Sequence, residues 1–328
     1  MMQHIPIWGE IIPGNSPANK RSVMEVEPFK LPQMLQFGRM ILAATAKDFA
    51  PGNKSRIDSY TWHVPIRNGW EKETFEDIPY IDAFPVRNAR QAVLVIPGGA
   101  YAYKQSDVDG QGKQNEGDRV AKALNERSVS AFVLWYRSNP YCFPIPLLDV
   151  QRAVRFLRAH ADEYGFDPEQ IHIIGFSAGG YQSLGFANIL RGHDAFPVDY
   201  TPDEIDLISD RIQSASAGYP LVSFRAMPNE VLAVMNGEDA GDKEKRESFF
   251  RAYELTENIA SADLPQFIHY GTKDILVSPA SVESYIQAVR RAGGEICSLS
   301  IEGANHGYGA NPRQRKALIW IDEYVRWL

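Results

Sequence analysis

The sequence predicts an α/β fold in which a mostly parallel sheet is covered by helices on both faces. Uninterrupted aliphatic runs, such as residues 92–96, are typical of strands buried on both faces. Amphipathic patterns lie between these runs, and strands that alternate with crossover helices form parallel sheets. The strand runs are followed by glycine and polar residues, and ligands bind beyond the carboxyl ends of strands in such sheets.

The predicted elements begin at about residue 59 and continue to the last residue. The predicted strands are rich in aliphatic and aromatic residues and cover residues 58–66, 76–85, 90–99, 129–137, 170–176, 212–220, 264–271 and 295–303. The predicted helices have amphipathic patterns and cover residues 115–128, 147–165, 177–190, 278–294 and 313–328. A polar insertion is expected at about residues 222–262, and its most polar segment, residues 236–248, is expected to be a solvated surface.

The first part of the chain differs in composition from the rest. Residues 1–58 are rich in Pro, Gly and Asn, with one helical pattern at 31–49, and are predicted to form an arm packed on a main domain of residues 59–328. The N-terminal residues lack the apolar stretch of a signal peptide, and the two cysteines, Cys142 and Cys297, favour reduced thiols. A cytoplasmic location is expected.

Composition excludes several classes of partner. A chain of 328 residues with 44% hydrophobic residues can bury a large core, and its net charge of −7 argues against nucleic acid. No uninterrupted apolar stretch is long enough to span a bilayer. Neither a metal-ligand motif nor a phosphate-binding loop is present, so neither a metal nor a cofactor is expected. The oligomeric state leaves no readable pattern.

A serine, an acid and a histidine follow three predicted strands in that order. Ser177 lies in GFSAG after residues 170–176, Asp274 follows the strand ending at 271, and His306 lies in the loop after the last strand. A serine hydroxyl is a weak nucleophile until a histidine accepts its proton, and a carboxylate must orient that histidine. The order predicts Ser177 as nucleophile, Asp274 as acid and His306 as base.

Other residues could fill two of these roles. Asp239 and Asp242 lie in the polar insertion, and Glu302 lies too close to His306 on the same loop. The rival histidine is His193, in a segment with the composition of a surface loop, and the other five histidines precede Ser177 or lie within a strand. Placement at strand ends favours Asp274 and His306.

Backbone amides near Ser177 are the expected donors to a developing oxyanion. The amide of Ala178 begins the helix after the serine, where it would point at the oxyanion. The second donor is expected from Gly98, Gly99 or Ala100, in the glycine-rich loop after residues 92–96. The spacing leaves the choice among these three amides open.

Aromatic and charged residues follow two of the strands and have two interpretations each. Tyr101, Tyr103 and Tyr136, together with Arg137, are expected near the mouth of the cleft, where they would either bind a sugar or carboxylate or pack as structural residues. Glu116 would either form an ion pair with Arg137 or lie at a solvated helix start, and the solvated helix start is favoured.

Five segments resemble those of α/β-hydrolases of the esterase and lipase type. The matching stretches are residues 93–101, 131–137, 144–180, 271–277 and 305–309. They are most similar to the bacterial group of acetyl xylan esterases and feruloyl-esterase-like carbohydrate esterases, over about residues 90–328. The resemblance implies the same triad, Ser177, Asp274 and His306, and places Gly99 and Ala178 at the oxyanion hole.

The resemblance also implies an activity. A serine esterase of this type hydrolyses short-chain acyl esters through an acyl-enzyme, here a small-molecule ester for which an O-acetylated saccharide is the candidate. One alternative is a serine peptidase of the prolyl-oligopeptidase type, although its large gating domain does not fit in the first 90 residues. The other is a binding protein with a hydrolase fold and no catalysis, which an intact triad disfavours.

Overall fold

A mixed sheet of eight strands organises the protein. The computed structural model describes residues 4–14, 78–101, 115–138, 141–227, 230–235, 239 and 242–328, and the backbone of three further strands. The eight strands are β1 (His4–Pro6), β5 (Tyr80–Phe84), β6 (Ala92–Ile96), β7 (Ser130–Trp135), β8 (Ile171–Phe176), β9 (Ser214–Gly218), β10 (Gln266–Gly271) and β11 (Ile296–Ile301). Strands β2 (Ser22–Glu25), β3 (Tyr60–Val64) and β4 (Glu73–Thr74) form a second sheet.

The strand order of the large sheet is β1-β5-β7-β6-β8-β9-β10-β11. The five pairings from β7 to β11 are parallel, whereas β1 and β5 pair in antiparallel fashion at one edge. The predicted fold class, a mostly parallel sheet with helices, is therefore confirmed. Because β8 is central, the residue that follows it, Ser177, lies in the middle of the sheet's carboxyl edge.

The helices lie between the parallel strands, except for the last helix, which follows β11. They are α1 (Asp118–Asn125), α2 (Ile145–Ala159), α3 (Ala161–Tyr164), α4 (Ala178–Gly185), α5 (Val231–Val234), α6 (Lys243–Tyr253), α7 (Pro279–Arg291) and α8 (Ile319–Trp327). A π-helical segment, Phe186–Leu190, continues α4. Every residue of α4 is buried, because this helix packs on β8 and β9.

The central strands form the core, as their aliphatic runs predict. All residues of β6, β7 and β8 are buried, which agrees with a sheet that is covered on both faces. Strand β11 is partly exposed because it lies at the edge of the sheet. In the described part of the chain, no helix has the length and apolar character needed to cross a membrane.

The insertion at 222–262 has an exposed outer segment and a buried inner face. Its helix α6 is polar on the outside, but Phe224, Phe249 and Phe250 are buried. The ring of Phe224 lies 4.8 Å from that of Tyr181 in α4 and 5.2 Å from that of Phe249. The described residues 239 and 242–248 are exposed or half-buried, which agrees with the solvated surface predicted for 236–248. The buried inner face, which covers the helix that follows Ser177, was not predicted.

The N-terminal residues 4–14 belong to the main body of the protein. Strand β1 pairs with β5, and Ile7 and Trp8 are buried in the core. Trp8 Nε1 donates to Asp149 Oδ1 at 2.8 Å, and Arg152 Nε donates to the Ile7 carbonyl at 2.6 Å. The helical pattern at 31–49 lies outside the described residues, and the boundary at residue 58 stays a prediction.

Five buried residues form what we call the N-terminal ion-pair cluster: Trp8, Arg137, Asp149, Arg152 and Asp206. The Arg137 guanidinium lies 2.6 Å from Asp149, and that of Arg152 lies 2.8 Å from Asp206. Both guanidinium groups also lie over the indole of Trp8, at 5.9 and 4.8 Å from the ring centroid. The cluster joins the N-terminal segment to α2 and to the end of β7.

Candidate active site

Ser177 occupies a strained turn between β8 and α4. Its φ and ψ are 54° and −119°, a region that non-glycine residues adopt at a cost of about 1–3 kcal/mol. The turn is held by its own backbone, since the Ser177 amide donates to the Gly218 carbonyl at 3.0 Å and its carbonyl accepts from the Leu221 amide at 3.0 Å. These bonds fix the position from which the hydroxyl is presented.

Glycines make this turn sterically feasible. A Cβ on Gly175 would lie 1.8 Å from the Gly179 carbonyl oxygen, and a Cβ on Gly179 would lie 2.1 Å from the carbonyl oxygen of Ile96. Side chains at either position would separate α4 from β8 or from β6. The small residues around Ser177 therefore allow the close approach of helix and strands that the motif predicts.

The structure brings Ser177, His306 and Asp274 together from three different loops. His306 Nε2 lies 2.9 Å from Ser177 Oγ, and His306 Nδ1 lies 2.7 Å from Asp274 Oδ2. In the arrangement with Nδ1 protonated, His306 donates to the carboxylate and can accept the serine proton at Nε2. We call these three residues the triad.

Asp274 is fixed on both sides. Its side chain is almost completely buried, and its second oxygen, Oδ1, accepts hydrogen bonds from the Leu276 and Val277 amides, each at 2.9 Å. Asn305 Oδ1 accepts from the amides of Ile275 and His306, at 3.1 and 2.8 Å, so it joins the loop that contains Asp274 to the loop that contains His306. The carboxylate therefore has little freedom to turn away from the imidazole.

The rival residues lie elsewhere. Asp242 caps α6 by accepting hydrogen bonds from the Glu244 and Lys245 amides, and Asp239 forms an ion pair with Lys245. His193 is exposed, and its carbonyl accepts a hydrogen bond from Gln151. Of these residues, none contacts the triad in the structure.

In the glycine-rich loop after β6, the Gly98 amide does not have the role of oxyanion donor that was expected. The Gly98 amide donates to Glu116 Oε2 at 2.9 Å, so it is already used and cannot also bind an oxyanion. The prediction that named Gly98 as a donor is therefore wrong. Gly99, Ala100 and Tyr101 all have positive φ, at 137°, 53° and 54°, which leaves Gly99 and Ala100 as candidate second donors in an unusually strained loop.

Tyr101 has a structural role instead of a place at the cleft mouth. Its side chain is fully buried, and its hydroxyl donates to the Ala178 carbonyl at 3.1 Å and accepts from Gln182 Nε2 at 2.9 Å. The prediction that Tyr101 binds substrate is therefore wrong, because the ring ties the loop to α4. Tyr136 is buried as well, and Tyr103 lies outside the described residues.

Arg137 also lies away from the triad. The side chain is 1% exposed, its Nε and Nη2 donate to Asp149, and its Nη1 donates to the Pro13 carbonyl at 2.6 Å. The prediction that Arg137 binds a substrate carboxylate or sugar is therefore wrong. The partner that decides this is Asp149, which lies twelve residues later on the face of α2 that packs inward.

Glu116 and Tyr219 are the residues that sequence reasoning missed. Glu116 is fully buried, which contradicts its interpretation as a solvated helix start, and its Oε1 accepts from the Tyr219 hydroxyl at 2.7 Å. Burial raises the pKa of the Glu116 carboxyl and of the Tyr219 hydroxyl. The available signal for Tyr219 was its place directly after β9, at the same edge of the sheet as Ser177.

A comparison with known families matches most of this region. The model of the BD-FAE family matches residues 83–288, which contain Ser177, Asp274 and the glycine-rich loop. The chain belongs to the BD-FAE family. His306 lies beyond the matched residues, on the loop after β11.

Relatives with known names are similar over part of their length. Endo-1,4-beta-xylanase B of Butyrivibrio fibrisolvens is 29% identical over 61% of this chain and 30% of that protein. Esterase LipQ of Mycobacterium tuberculosis is 23% identical over 84% of this chain and 64% of that protein. Acetylxylan esterase of Xylanibacter ruminicola is 26% identical over 69% of this chain and 42% of that protein. The chain thus spans less than two thirds of each of these relatives.

Solved structures show the same fold. The acetyl ester-xyloside bifunctional hydrolase of Caldicellulosiruptor lactoaceticus superposes with a TM-score of 0.67 at 21% identity, covering 99% of this chain and 94% of that one. An α/β hydrolase from a Medee basin deep-sea metagenome superposes with a TM-score of 0.52 at 18% identity, covering 76% of this chain and 90% of that one. This BD-FAE chain therefore has the α/β-hydrolase fold.

The site of this BD-FAE chain contains a hydroxyl, an imidazole and a carboxylate in hydrogen-bond contact. The hydroxyl of Ser177, the base and the acid form one continuous hydrogen-bonded line, and the amide of Ala178 begins the helix behind the nucleophile. Among the described residues, no cluster of three or more His, Cys, Asp or Glu side chains could hold a metal ion.

Proposed function

We propose that this protein is a serine carboxylesterase that hydrolyses short-chain acyl esters through an acyl-enzyme. The observation that carries the proposal is the hydrogen-bonded line from Ser177 through His306 to Asp274, with the serine on a strained turn at the sheet's carboxyl edge. Family membership and the names of two relatives, both esterases, support the same reaction class.

In the acylation step, Ser177 Oγ attacks the carbonyl carbon of the ester while its proton passes to His306 Nε2. The carbonyl π bond breaks, and its electron pair becomes the oxyanion of a tetrahedral intermediate. When the intermediate collapses, the bond to the alcohol oxygen breaks and His306 returns its proton to that oxygen. Asp274 stabilises the imidazolium that exists between these two transfers.

In the deacylation step, water takes the place of the alcohol. His306 removes a proton from the water, the hydroxyl attacks the acyl carbon, and a second tetrahedral oxyanion forms. Its collapse breaks the bond to Ser177 Oγ, which regains a proton from His306 and releases the carboxylic acid. Both intermediates place negative charge at the same oxygen, so one oxyanion hole serves both steps.

The Ala178 amide and one amide from Gly99 or Ala100 are the proposed donors to that oxygen. Ala178 begins α4, where the helix dipole adds partial positive charge. Because the Gly98 amide donates to Glu116, the candidates for the second donor are the amides of Gly99 and Ala100. Loss of one donor of this kind typically lowers kcat by about 10²–10³-fold.

The proposed substrate is a small-molecule ester with a short acyl group, and an O-acetyl group on a saccharide is the specific candidate. The support for the saccharide is the name of one relative, an acetylxylan esterase, which is 26% identical over 69% of this chain. Another relative is named as a xylanase, and the similarity covers only 30% of it.

The test compares purified wild-type protein with Ser177→Ala on the p-nitrophenyl esters of acetate, butyrate and octanoate, on an O-acetylated xylo-oligosaccharide and on a proline-containing peptide. The acetyl esters are expected to be hydrolysed fastest, with a loss of about 10⁴–10⁶-fold in Ser177→Ala. Ser183→Ala is the matched control, because Ser183 lies on the same helix and its hydroxyl donates to the Ser216 carbonyl instead. Peptide cleavage without ester hydrolysis would show a peptidase, and unchanged ester hydrolysis in Ser177→Ala would refute the mechanism.

A further inference from the structure

A single buried carboxylate connects the two loops that flank Ser177. Glu116 is fully buried two residues before the start of α1, with Oε2 2.9 Å from the Gly98 amide and Oε1 2.7 Å from the Tyr219 hydroxyl. Each carboxylate oxygen therefore accepts one hydrogen bond, from two elements that are far apart in sequence. This arrangement uses the acceptor-only character of an ionised carboxylate.

The hydrogen bond from the Gly98 amide to Glu116 holds the glycine-rich loop in place. A Cβ on Gly98 would lie 2.9 Å from the Cβ of Ser177 and 2.7 Å from the Phe176 carbonyl oxygen, so the loop backbone passes directly beside the nucleophile. The next three residues, 99–101, all have positive φ. A strained segment keeps such a conformation only when its surroundings hold it. Glu116 holds Gly98, the residue directly before this segment, and the Tyr101 side chain holds its last residue.

Through Tyr219, Glu116 is connected to the loop that contains His306. The Tyr219 hydroxyl accepts a hydrogen bond from the Gly309 amide at 3.0 Å, three residues after His306. Its ring meets the His306 ring edge to face, with 4.8 Å between centroids. Beside Glu116, the Asn115 carbonyl accepts from the Ala310 amide at 2.7 Å, which adds a second tie to the same loop.

The charge of Glu116 is compatible with this role. Burial raises the pKa of the carboxyl, while the hydrogen bond from Tyr219, the nearby His306 and the hydrogen bond from Gly98 oppose the rise. Both facing groups, an N–H and an O–H, are donors, so a carboxylate satisfies them without a proton of its own. Glutamine, with one acceptor oxygen, satisfies only one of the two.

We propose that Glu116 is a positioning residue for the esterase reaction, which through Gly98 sets the loop of the second oxyanion donor and through Tyr219 sets the loop of His306. The inference rests on the proposed function. Glu116 touches neither the substrate carbonyl nor the transferred proton, and it acts through groups that interact with the transition state. Its loss therefore lowers kcat and leaves KM nearly unchanged.

The test measures kcat and KM on p-nitrophenyl acetate for wild type, Glu116→Ala, Glu116→Gln and Tyr219→Phe, each normalised to the fraction of Ser177 that a fluorophosphonate labels at completion. Asp82→Asn is the matched control, because Asp82, on β5 next to the edge strand β1, is also buried and accepts from two side chains, Trp135 and His4. Because unfolded molecules are not labelled, kcat per labelled site reports the effect of a misplaced loop and is independent of the fraction of misfolded protein.

The expected result is a fall in kcat per labelled site of about 100-fold for Glu116→Ala and about 10-fold for Glu116→Gln and Tyr219→Phe, with KM within about threefold. Asp82→Asn is expected to keep the wild-type kcat per labelled site. A kcat per labelled site within about twofold of wild type in Glu116→Ala and Tyr219→Phe would overturn the proposal. Wild-type protein that neither hydrolyses the ester nor is labelled at Ser177 would refute the proposed function itself, and this inference with it.

Discussion

The triad and the N-terminal ion-pair cluster both bury charged side chains, yet the two regions differ in strain and in access. In the ion-pair cluster the side chains bond to one another, to backbone carbonyls and, in the case of Arg152, to Asp203, and all five residues are at most 5% exposed. In the triad the line of hydrogen bonds ends at a half-buried serine. Buried charge is therefore common to both regions, and what distinguishes the proposed active site is a half-buried hydroxyl at the end of its polar network.

Backbone strain separates the two regions in the same way. Six non-glycine residues in the described part of the chain have positive φ, and four of them, Ala100, Tyr101, Ser177 and Tyr219, follow strands at the carboxyl edge of the sheet. None belongs to the ion-pair cluster. Strain persists only where surrounding contacts maintain it. The concentration of strained residues around Ser177 therefore supports a functional role for this edge of the sheet.

The largest expected difference between the regions is the loss of activity in His306→Ala. Removing the base leaves Ser177 without a proton acceptor, and kcat on p-nitrophenyl acetate is expected to fall by about 10⁴–10⁶-fold, with little change in the melting temperature. His193→Ala, at an exposed loop, is the control and is expected to be fully active. Activity above a few per cent of wild type in His306→Ala would remove His306 from the triad.

Asp274→Asn is expected to have the next largest effect. The amide keeps the size of the carboxylate but cannot stabilise an imidazolium, and it favours the wrong tautomer of His306, so kcat is expected to fall by about 10³–10⁴-fold. Steady-state kinetics of the purified variant measure this. Asp263→Asn, which changes an exposed partner of Arg191, serves as control. A fall of less than about tenfold would show that another acid supports the histidine.

Breaking the ion-pair cluster is expected to change stability instead of activity. Asp149→Ala leaves the buried guanidinium of Arg137 without its charged partner, which is expected to lower the free energy of unfolding by about 3–5 kcal/mol. Urea unfolding measures the loss, and kcat per folded molecule should stay within about twofold of wild type.

The control for this variant is Asp322→Ala, which removes an exposed partner of Arg127. Its cost is expected to stay below about 1 kcal/mol, because solvent screens surface ion pairs. If Asp149→Ala lowered kcat per folded molecule as strongly as Asp274→Asn, the contrast between the two regions would fail.

The smallest expected effect concerns buried histidines away from the triad. Burial lowers the pKa of His172 to about 4 and that of His269 to about 3, whereas the ordinary value in an unfolded chain is 6.5. Between these values the unfolded chain binds protons that the folded chain cannot, so the free energy of unfolding falls as pH is lowered through this window and is fully retained above it. Between about pH 7.5 and pH 5, the free energy of unfolding is expected to fall by about 2 kcal/mol less in His172→Asn than in wild type.

Urea unfolding at the two pH values checks this prediction, with His193→Gln as an exposed control. The same loss in His172→Asn and wild type would show that other groups cause the pH dependence. The conservative change is suitable because Asn can still bond to Ser214, whose hydroxyl lies 2.8 Å from His172 Nδ1.

The sequence predicted the parallel part of the sheet well, because aliphatic runs and amphipathic patterns are local properties. It did not predict β1, since three residues carry too little pattern and the strand depends on its pairing with β5. The inner face of the insertion was also missed, because Phe249 and Phe250 are two apolar residues in a polar helix whose burial depends on α4 and its neighbours.

At the site, the chain order of serine, acid and histidine identified three residues that the structure brings together. The roles of Arg137 and Tyr101 could not be predicted from chain order, because the tertiary structure sets their partners. Arg137 bonds to Asp149 and to the Pro13 carbonyl. Tyr101 bonds to the Ala178 carbonyl and to Gln182. Glu116 resembled any acidic residue before a helix until the positions of Gly98 and Tyr219 were known.

The sequence by itself determined the layer architecture and the chemistry available at the carboxyl edge of the sheet, because hydrophobic periodicity and residue type are written along the chain. Only the tertiary structure decided which polar side chains serve structure and which serve the site. Hydrogen bonds and burial are properties of pairs of residues, and the deciding partners of Gly98, Arg137 and Tyr219 lie on other elements of the fold.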